Sequence, residues 1–137
     1  MKVKIILTLA LLGGVVIVGT IYYQFNKPRE NVGKARTDFR ISVKELVTSF
    51  LANESQANEK FLGKILEVDG KVIQLIEEEG SRGILLESST GTVYCACEQI
   101  PEIKIGTMVL VKGKCSGYLM DVVLNDCELI KQNLNED

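Results

Sequence analysis

The sequence predicts a mainly β protein, a five-stranded barrel preceded by an amphipathic α-helix and by an N-terminal transmembrane helix. Three observations predict this class. An uncharged apolar run lies near the start, a stretch with helical spacing of apolar residues follows, and about 70 residues rich in β-branched side chains are then divided by glycine turns. With 137 residues, the chain is long enough for one globular domain besides the apolar run.

The apolar run is typical of a membrane anchor. Residues 1–4 form a basic start, and residues 5–23 carry no charge. Nineteen helical residues span about 28 Å, close to the roughly 30 Å of a bilayer core. We expect an uncleaved single-pass anchor in the membrane; a cleaved signal peptide is the alternative, although no A-x-A-like cleavage site is evident. Basic residues flank both ends and do not decide the orientation, whereas the cysteines of the body favour its export to the periplasmic side.

The body begins with a predicted helix. Ser42 and Glu45 match a capping box, in which each residue satisfies an amide at the start of a helix. Apolar residues then recur with helical spacing as far as Phe61, and charged residues occupy the other positions. We expect this apolar stripe to pack on the domain core. The predicted segments are, in order, a linker over 24–41, a helix over 43–61 within a helix-and-barrel unit over 42–131, and a polar tail over 132–137.

Five strands follow the helix. The first is long and contains Gly70, and a glycine inside a long strand predicts a bulge or a sharp coil. A five-stranded barrel closed by coiling of its first strand is an OB-fold, which we predict here; an SH3-like barrel is the alternative, although it usually lacks a long preceding helix. The predicted strands cover residues 64–77, 83–88, 92–98, 107–115 and 121–131.

Several stretches of the chain resemble the tRNA_anti-like family, OB-fold proteins of bacterial envelopes. The resemblance covers about residues 25–130, and the run from Lys112 to Tyr118 is its most specific part. It implies an N-terminal anchor and an OB barrel, and it implies no activity. The similar stretches are Phe25-Asn26-Lys27-Pro28, Asn53-Glu54, Ala57-Asn58, Phe61-Leu62-Gly63-Lys64, Val68-Asp69-Gly70-Lys71-Val72, Gly106, Val111-Lys112-Gly113-Lys114-Cys115-Ser116-Gly117-Tyr118, Asp121-Val122-Val123-Leu124 and Cys127.

Four cysteines are the most reactive feature of the body. Cys95 and Cys97 lie two apart on the third predicted strand, Cys115 on the fourth and Cys127 on the fifth. The fifth strand of an OB barrel lies between the third and the fourth, so we expect one or two disulfides in an exported protein, with the pairing left open. Buried free thiols are the first alternative. A four-cysteine zinc site is the second, although the C-x-C spacing is unlike that of a zinc knuckle.

Composition argues against catalysis and against nucleic acid. The chain has no histidine and no phosphate-binding, nucleophile-elbow or metalloprotease motif, so we predict neither an enzyme nor a bound cofactor or metal. Lys2 and Lys4 are two of its 16 Lys/Arg, which leaves 14 against 18 Asp/Glu after residue 23, a net charge of −4. An acidic body is a poor match for a polyanion. Lys112, Lys114 and Tyr118 are the candidate ligand face.

The sequence therefore predicts a non-catalytic, membrane-anchored OB-fold binding module of the bacterial envelope, with a protein or a small ligand as its partner. One alternative is a protein that binds single-stranded nucleic acid or oligonucleotides, which requires aromatic side chains for base stacking; the strands offer Tyr94. The other alternative is a thiol or metal-binding protein that uses the four cysteines.

Overall fold

The computed structural model describes residues 1–26 and 31–132. It confirms the predicted fold class, a mainly β chain whose five long strands close into an OB barrel behind an apolar N-terminal helix. Parts of the predicted linker (residues 27–30) and of the predicted tail (residues 133–137) lie outside the described residues. The elements are α1 (Lys2–Phe25), β1 (Phe39–Ser42), α2 (Val43–Ala52), α3 (Glu54–Phe61), β2 (Ile65–Glu78), β3 (Ser81–Ser88), β4 (Gly91–Cys97), β5 (Met108–Tyr118) and β6 (Val122–Gln132).

Helix α1 contains the whole predicted apolar run. It has 24 residues and is therefore about 36 Å long. Its side chains are all exposed, and it is long and apolar enough to cross a membrane, a property that a membrane anchor shares with a signal sequence.

The predicted helix over residues 43–61 is two helices, because Asn53 interrupts it. Asn53 is in an extended conformation, with φ −160° and ψ 98°, and its side chain accepts a hydrogen bond of 3.1 Å from the amide of Gln56 at the start of α3. Asparagine is a preferred N-cap, so it ends one helix and begins the next. The predicted cap at Ser42 is confirmed, since its hydroxyl accepts from the amide of Glu45 at 3.2 Å.

The barrel closes through the long, curved strand β2. The strand order is β2-β3-β4-β6-β5, and β5 pairs again with β2. The first half of β2 pairs with β5 and the second half with β3, with the change of partner at Lys71. Gly70 precedes it directly, and an added Cβ there would overlap a methyl group of Val43 on α2. The glycine therefore serves the close approach of α2, and the bulge lies between Val72 and Gln74.

Helix α2 contacts β1, β2, β3, β4 and β6, which places it across one end of the barrel. Phe50 of α2 is 2% exposed, and its ring lies 6.2 Å from that of Phe61 on α3 and 6.1 Å from that of Tyr118 on β5. These rings join the helices to the barrel core. The barrel contributes mainly buried aliphatic side chains, namely Leu66, Val68, Val72, Ile84, Leu86, Val93, Val109, Val111, Val122 and Leu124.

Residues 31–38, which we call the strap, pack on the outside of the barrel. Val32 is 1% exposed, and the Nζ of Lys112 donates to the carbonyls of Gly33, at 3.5 Å, and Ala35. Asp38 and Ile65 bond reciprocally: the Asp38 amide donates to the Ile65 carbonyl at 2.8 Å, and the Ile65 amide to Asp38 Oδ2 at 2.9 Å. The strap continues into β1, which pairs in parallel with β2. Much of the predicted linker is thus part of the folded body.

Candidate ligand face and cysteine cluster

The outward side of β3 and β4 is the candidate ligand face. The two strands pair antiparallel, with Leu85 opposite Tyr94 and Glu87 opposite Thr92. These four side chains alternate with buried residues that face the core, so they point away from the barrel. This sheet corresponds to the second and third strands of an OB barrel, which is the surface that OB-folds use to bind oligonucleotides and oligosaccharides.

Tyr94 is the aromatic side chain of this face, and its position is fixed. An added Cβ at Gly83 would lie 2.6 Å from Tyr94 Cε2, so the ring covers the backbone of Gly83. The Tyr94 hydroxyl donates to the carbonyl of Arg82 at 3.4 Å and lies 3.2 Å from Ser81 Oγ. The ring is half-buried, with one side against the strand. The face therefore presents one pre-oriented aromatic surface.

Acidic groups surround the face. Glu87 is exposed, and Asp121 accepts a hydrogen bond from the Thr92 hydroxyl at the edge of β4. The end of β2 and the turn that follows it add three exposed glutamates, Glu77, Glu78 and Glu79. Two exposed cations oppose them: Lys71 of β2 lies opposite Glu87, and Arg82 Nη1 donates to the Glu98 carbonyl at 3.4 Å. The carboxylates around the face therefore outnumber the cations.

The predicted face of Lys112, Lys114 and Tyr118 does not form. Lys112 is 7% exposed and lies under the strap, where its ammonium group is hydrogen-bonded to backbone carbonyls. Tyr118 lies at the other end of β5, and its ring stacks on Phe50. Lys114 is half-buried between them. The sequence predicted the two lysines on the fourth strand and Tyr118 in the turn after it, but it did not show that the strap covers Lys112 or that Tyr118 packs on α2.

All four cysteines lie within the described residues, and all are buried free thiols. The predicted disulfides are therefore absent from the structure, which agrees with the first alternative: the cysteines are buried free thiols packed in the core. Cys97 of β4 lies directly opposite Cys127 of β6. Cys95 and Cys115 both lie opposite Leu124, which separates them. Cys97 and Cys127 are therefore the two cysteines that occupy paired positions on adjacent strands.

A bulge in β6 creates this pairing. Leu124 lies opposite Cys95, so regular pairing would place Asp126 opposite Cys97; one extra residue shifts Cys127 into that position. Asp126 has φ 52°, a left-handed conformation that aspartate tolerates better than most residues. Gly113 on β5 leaves the space, since an added Cβ would lie 2.5 Å from Cys127 Sγ.

The clustered thiols differ in acidity. A hydrogen bond with Cys127 lowers the pKa of Cys97, although burial acts in the opposite direction. Hydrogen bonds with Cys95 and Cys97 raise the pKa of Cys127 well above the ordinary thiol value, and burial raises it further. Burial also raises the pKa of Cys115. Of these three thiols, Cys97 is the one whose thiolate the structure stabilises.

Two surface clefts reach Cys97, and one of them also reaches Cys127. Cys97, Cys127, Pro101 and Leu129 are among the residues that line one open cleft of about 470 Å³. Cys97 also lines a second cleft of about 280 Å³ beside Asp126. Within residues 1–26 and 31–132, no group of three or more cysteine, aspartate or glutamate side chains is arranged to hold a metal ion.

The barrel, its capping helix and its outward sheet define an OB-fold protein with an apolar N-terminal helix. The chain belongs to the tRNA_anti-like family, whose family model matches residues 1–129. No curated protein matches the chain.

Three solved structures are similar to the chain. A protein of Klebsiella pneumoniae named a "putative nucleic acid-binding lipoprotein" has 14% identity and a TM-score of 0.54, over 77% of this chain and 100% of that one. A "putative aspartyl-tRNA synthetase" of Leishmania major has 11% identity and a TM-score of 0.49, over 88% of this chain and 26% of that one. The OB domain of a Methanosarcina mazei protein has 22% identity and a TM-score of 0.39, over 54% and 79%. At these identities, the likeness to the Klebsiella protein concerns the fold alone.

Proposed function

We propose that the chain is a non-catalytic binding module of the bacterial envelope, anchored in the membrane by α1, with the outward side of β3 and β4 as its ligand face. The observation that carries the proposal is the exposure of all side chains of α1 beside a barrel with a complete core of its own. A fully exposed apolar helix of 24 residues is unfavourable in water and favourable in a bilayer. The strap follows that helix in the sequence and is itself packed on the barrel.

The chemistry of the face supports a protein or small-ligand partner. Tyr94 offers a rigid amphipathic surface, and the half-exposed Leu85 beside it adds an apolar contact. Aromatic anchors of this kind are typical of protein interfaces. The surrounding carboxylates favour a partner with neutral or cationic groups.

Anchoring is tested on membranes that contain the full chain. After a wash with alkaline carbonate, we expect the protein in the membrane pellet, with the intact mass of all 137 residues. Release into the wash, or a mass that lacks the apolar run, would show a cleaved signal sequence and overturn the anchor. Protection of the body from added protease in sealed inverted vesicles is expected if it lies on the periplasmic side.

The ligand face is tested by site-specific photo-crosslinking in cells. A photoreactive amino acid replaces Glu87 on the face or, as a matched control, Lys64, which is exposed outside the face. We expect a discrete adduct from position 87 that is absent from position 64. Equal labelling from both positions, or adducts from neither, contradicts this location of the face.

Nucleic acid is the competing partner, and the name of the Klebsiella protein makes it worth testing. Full chain in nanodiscs is titrated with fluorescent single-stranded oligonucleotides at low and high salt. We expect no binding, because one tyrosine provides little stacking and the carboxylates around it outnumber the two cations, Arg82 and Lys71, that could contact phosphates. Salt-dependent binding that Tyr94→Leu weakens and Tyr94→Phe retains would establish the nucleic-acid function instead.

A further inference from the structure

We propose that Cys97 and Cys127 form a redox-active dithiol at the boundary of β4 and β6, which exchanges with small disulfides that enter through the neighbouring surface cleft. This inference is independent of the proposed membrane anchor and of the ligand face, because it depends on two side chains inside the barrel wall. Its substrate class is a low-molecular-weight disulfide.

Strand register and exposure select this pair among the four cysteines. Cys127 is hydrogen-bonded to Cys95 as well as to Cys97, but Cys97 is its register partner and lines the cleft, whereas Cys95 is fully buried. Cys97 and Cys127 lie opposite each other on adjacent strands, and such strands are about 4.8 Å apart. A disulfide spans Cα atoms that are about 4.4–6.8 Å apart, so the pair can close with little movement. Cys95 and Cys115 lie on opposite sides of β6, about two strand spacings apart, which is too far for a bond.

The local backbone is built around the pair. The left-handed Asp126 inserts the residue that aligns Cys127 with Cys97. Gly113 provides the space that the Cys127 sulfur occupies. A core that needed only two small apolar side chains would require neither feature, because regular pairing and a larger residue on β5 would fill the same volume.

Access and acidity assign different roles to the two thiols. Cys97 is 8% exposed and lines both clefts, whereas Cys127 is 5% exposed and lines only the larger one. The pKa of Cys97 is lowered by its hydrogen bond with Cys127, which increases the fraction of the nucleophilic thiolate. Cys127 keeps its proton to a higher pH, so it acts second.

The exchange takes place in two steps. The Cys97 thiolate attacks one sulfur of the small disulfide, a bond forms between the two sulfurs, and the other half leaves as a thiolate that takes up a proton. Cys127 then loses its proton to water and attacks the Cys97 sulfur, which releases the second small thiol. Two protein thiols are oxidised to one disulfide, and one small disulfide is reduced to two thiols.

The experiment uses the full chain in detergent micelles with graded ratios of oxidised to reduced glutathione. Samples are quenched with acid and alkylated, and intact masses and peptide maps are recorded. We expect a reversible loss of two alkylation sites, with a peptide that joins Cys97 to Cys127. Cys115→Ala is the matched control and should keep the midpoint within twofold, and Cys127→Ser should stop at a glutathione adduct on Cys97.

Three results overturn the proposal. They are a bridge that includes Cys95 or Cys115, four alkylated thiols in excess oxidised glutathione, and a glutathione adduct of Cys127→Ser at a residue other than Cys97. If Cys127→Ser loses the circular dichroism spectrum of the wild type, the peptide map of the wild type decides alone. Membrane extraction and oligonucleotide binding do not affect this readout, so failure here is distinguishable from failure of the proposed function.

Discussion

Replacing Lys112 with methionine removes one of the groups that hold the strap to the barrel, beside the buried Val32 and the reciprocal bonds of Asp38 with Ile65. Methionine keeps an unbranched apolar stem of similar length and loses the ammonium group that donates to the carbonyls of Gly33 and Ala35. The barrel core faces the other side of β5, where Val111 is buried. Lys112→Met should therefore loosen the strap and leave the barrel folded.

The magnitude follows from the two hydrogen bonds. A hydrogen bond from a charged group contributes roughly 1.5–3 kcal/mol, but the contact with Gly33 is 3.5 Å long and counts for little. One effective bond, to Ala35, leaves a loss of about 2 kcal/mol in the free energy of strap docking. Such a loss raises the population of the open strap about 30-fold.

Limited digestion with trypsin measures that population. Lys34 and Arg36 lie within the docked strap, and a protease cleaves a segment in proportion to its open population when opening is fast. We expect cleavage after these residues to be about 30-fold faster in Lys112→Met than in the wild type. Lys104→Met, which removes an exposed lysine from the β4–β5 loop, should leave the rate unchanged.

Two results would refute this reasoning. Equal cleavage rates of Lys112→Met and wild type would show that the ammonium group does not hold the strap. An equal acceleration after Arg82, which lies on β3, would show that the whole barrel had been destabilised instead. Mass spectrometry of the fragments distinguishes the two sites.

Three further predictions concern stability, measured by urea unfolding of the full chain in micelles. Phe50→Ala should cost about 3–5 kcal/mol because the ring is buried, whereas Leu51→Ala, at a residue that is 57% exposed, should cost less than about 0.5 kcal/mol; similar values would contradict the core assignment. Gly83→Ala should cost about 1–3 kcal/mol, because the new Cβ would lie 2.6 Å from the Cys95 carbonyl; an unchanged midpoint argues against that contact. Burial raises the pKa of Cys115 in the folded chain. As the pH rises above about 8.5, the unfolded chain therefore loses this thiol proton before the folded chain does, and the free energy of unfolding decreases. Cys115→Ala should therefore lose less stability than wild type between neutral and alkaline pH, and equal losses would contradict the raised pKa.

The barrel could be predicted from the sequence because its signals are local. Alternation of β-branched residues and glycine turns depends on neighbours in the chain, and it located all five long strands. Gly70 was recognised as special, although its role depends on Val43, which is distant in sequence. The break at Asn53 had a local signal, since asparagine is a preferred N-cap. The apolar periodicity continues on both sides of it, and for that reason one helix was predicted.

The site was less accessible to sequence reasoning because its geometry is not local. Lys112 looks like a surface residue until the strap covers it, and the strap carries few apolar residues besides Val32. The alignment of Cys97 with Cys127 depends on a bulge at Asp126, which no turn motif marks. Tyr94 could be found as an aromatic on a strand, but its support by Gly83 appears only when β3 and β4 pair.

The strap also sets how far the barrel can travel from the end of α1. Five peptide units join Asn26 to Asn31, which limits the separation to about 18 Å while the strap is docked. Release of the strap and β1 through Ser42 frees eleven more units, or up to about 40 Å of extended chain. The chain therefore has a short and a long reach, and the choice between them depends on the Lys112 ammonium group, the buried Val32, the bonds between Asp38 and Ile65, and the short parallel strand β1. Undocking of the strap would thus let the barrel move farther from α1 without cutting or modifying the chain.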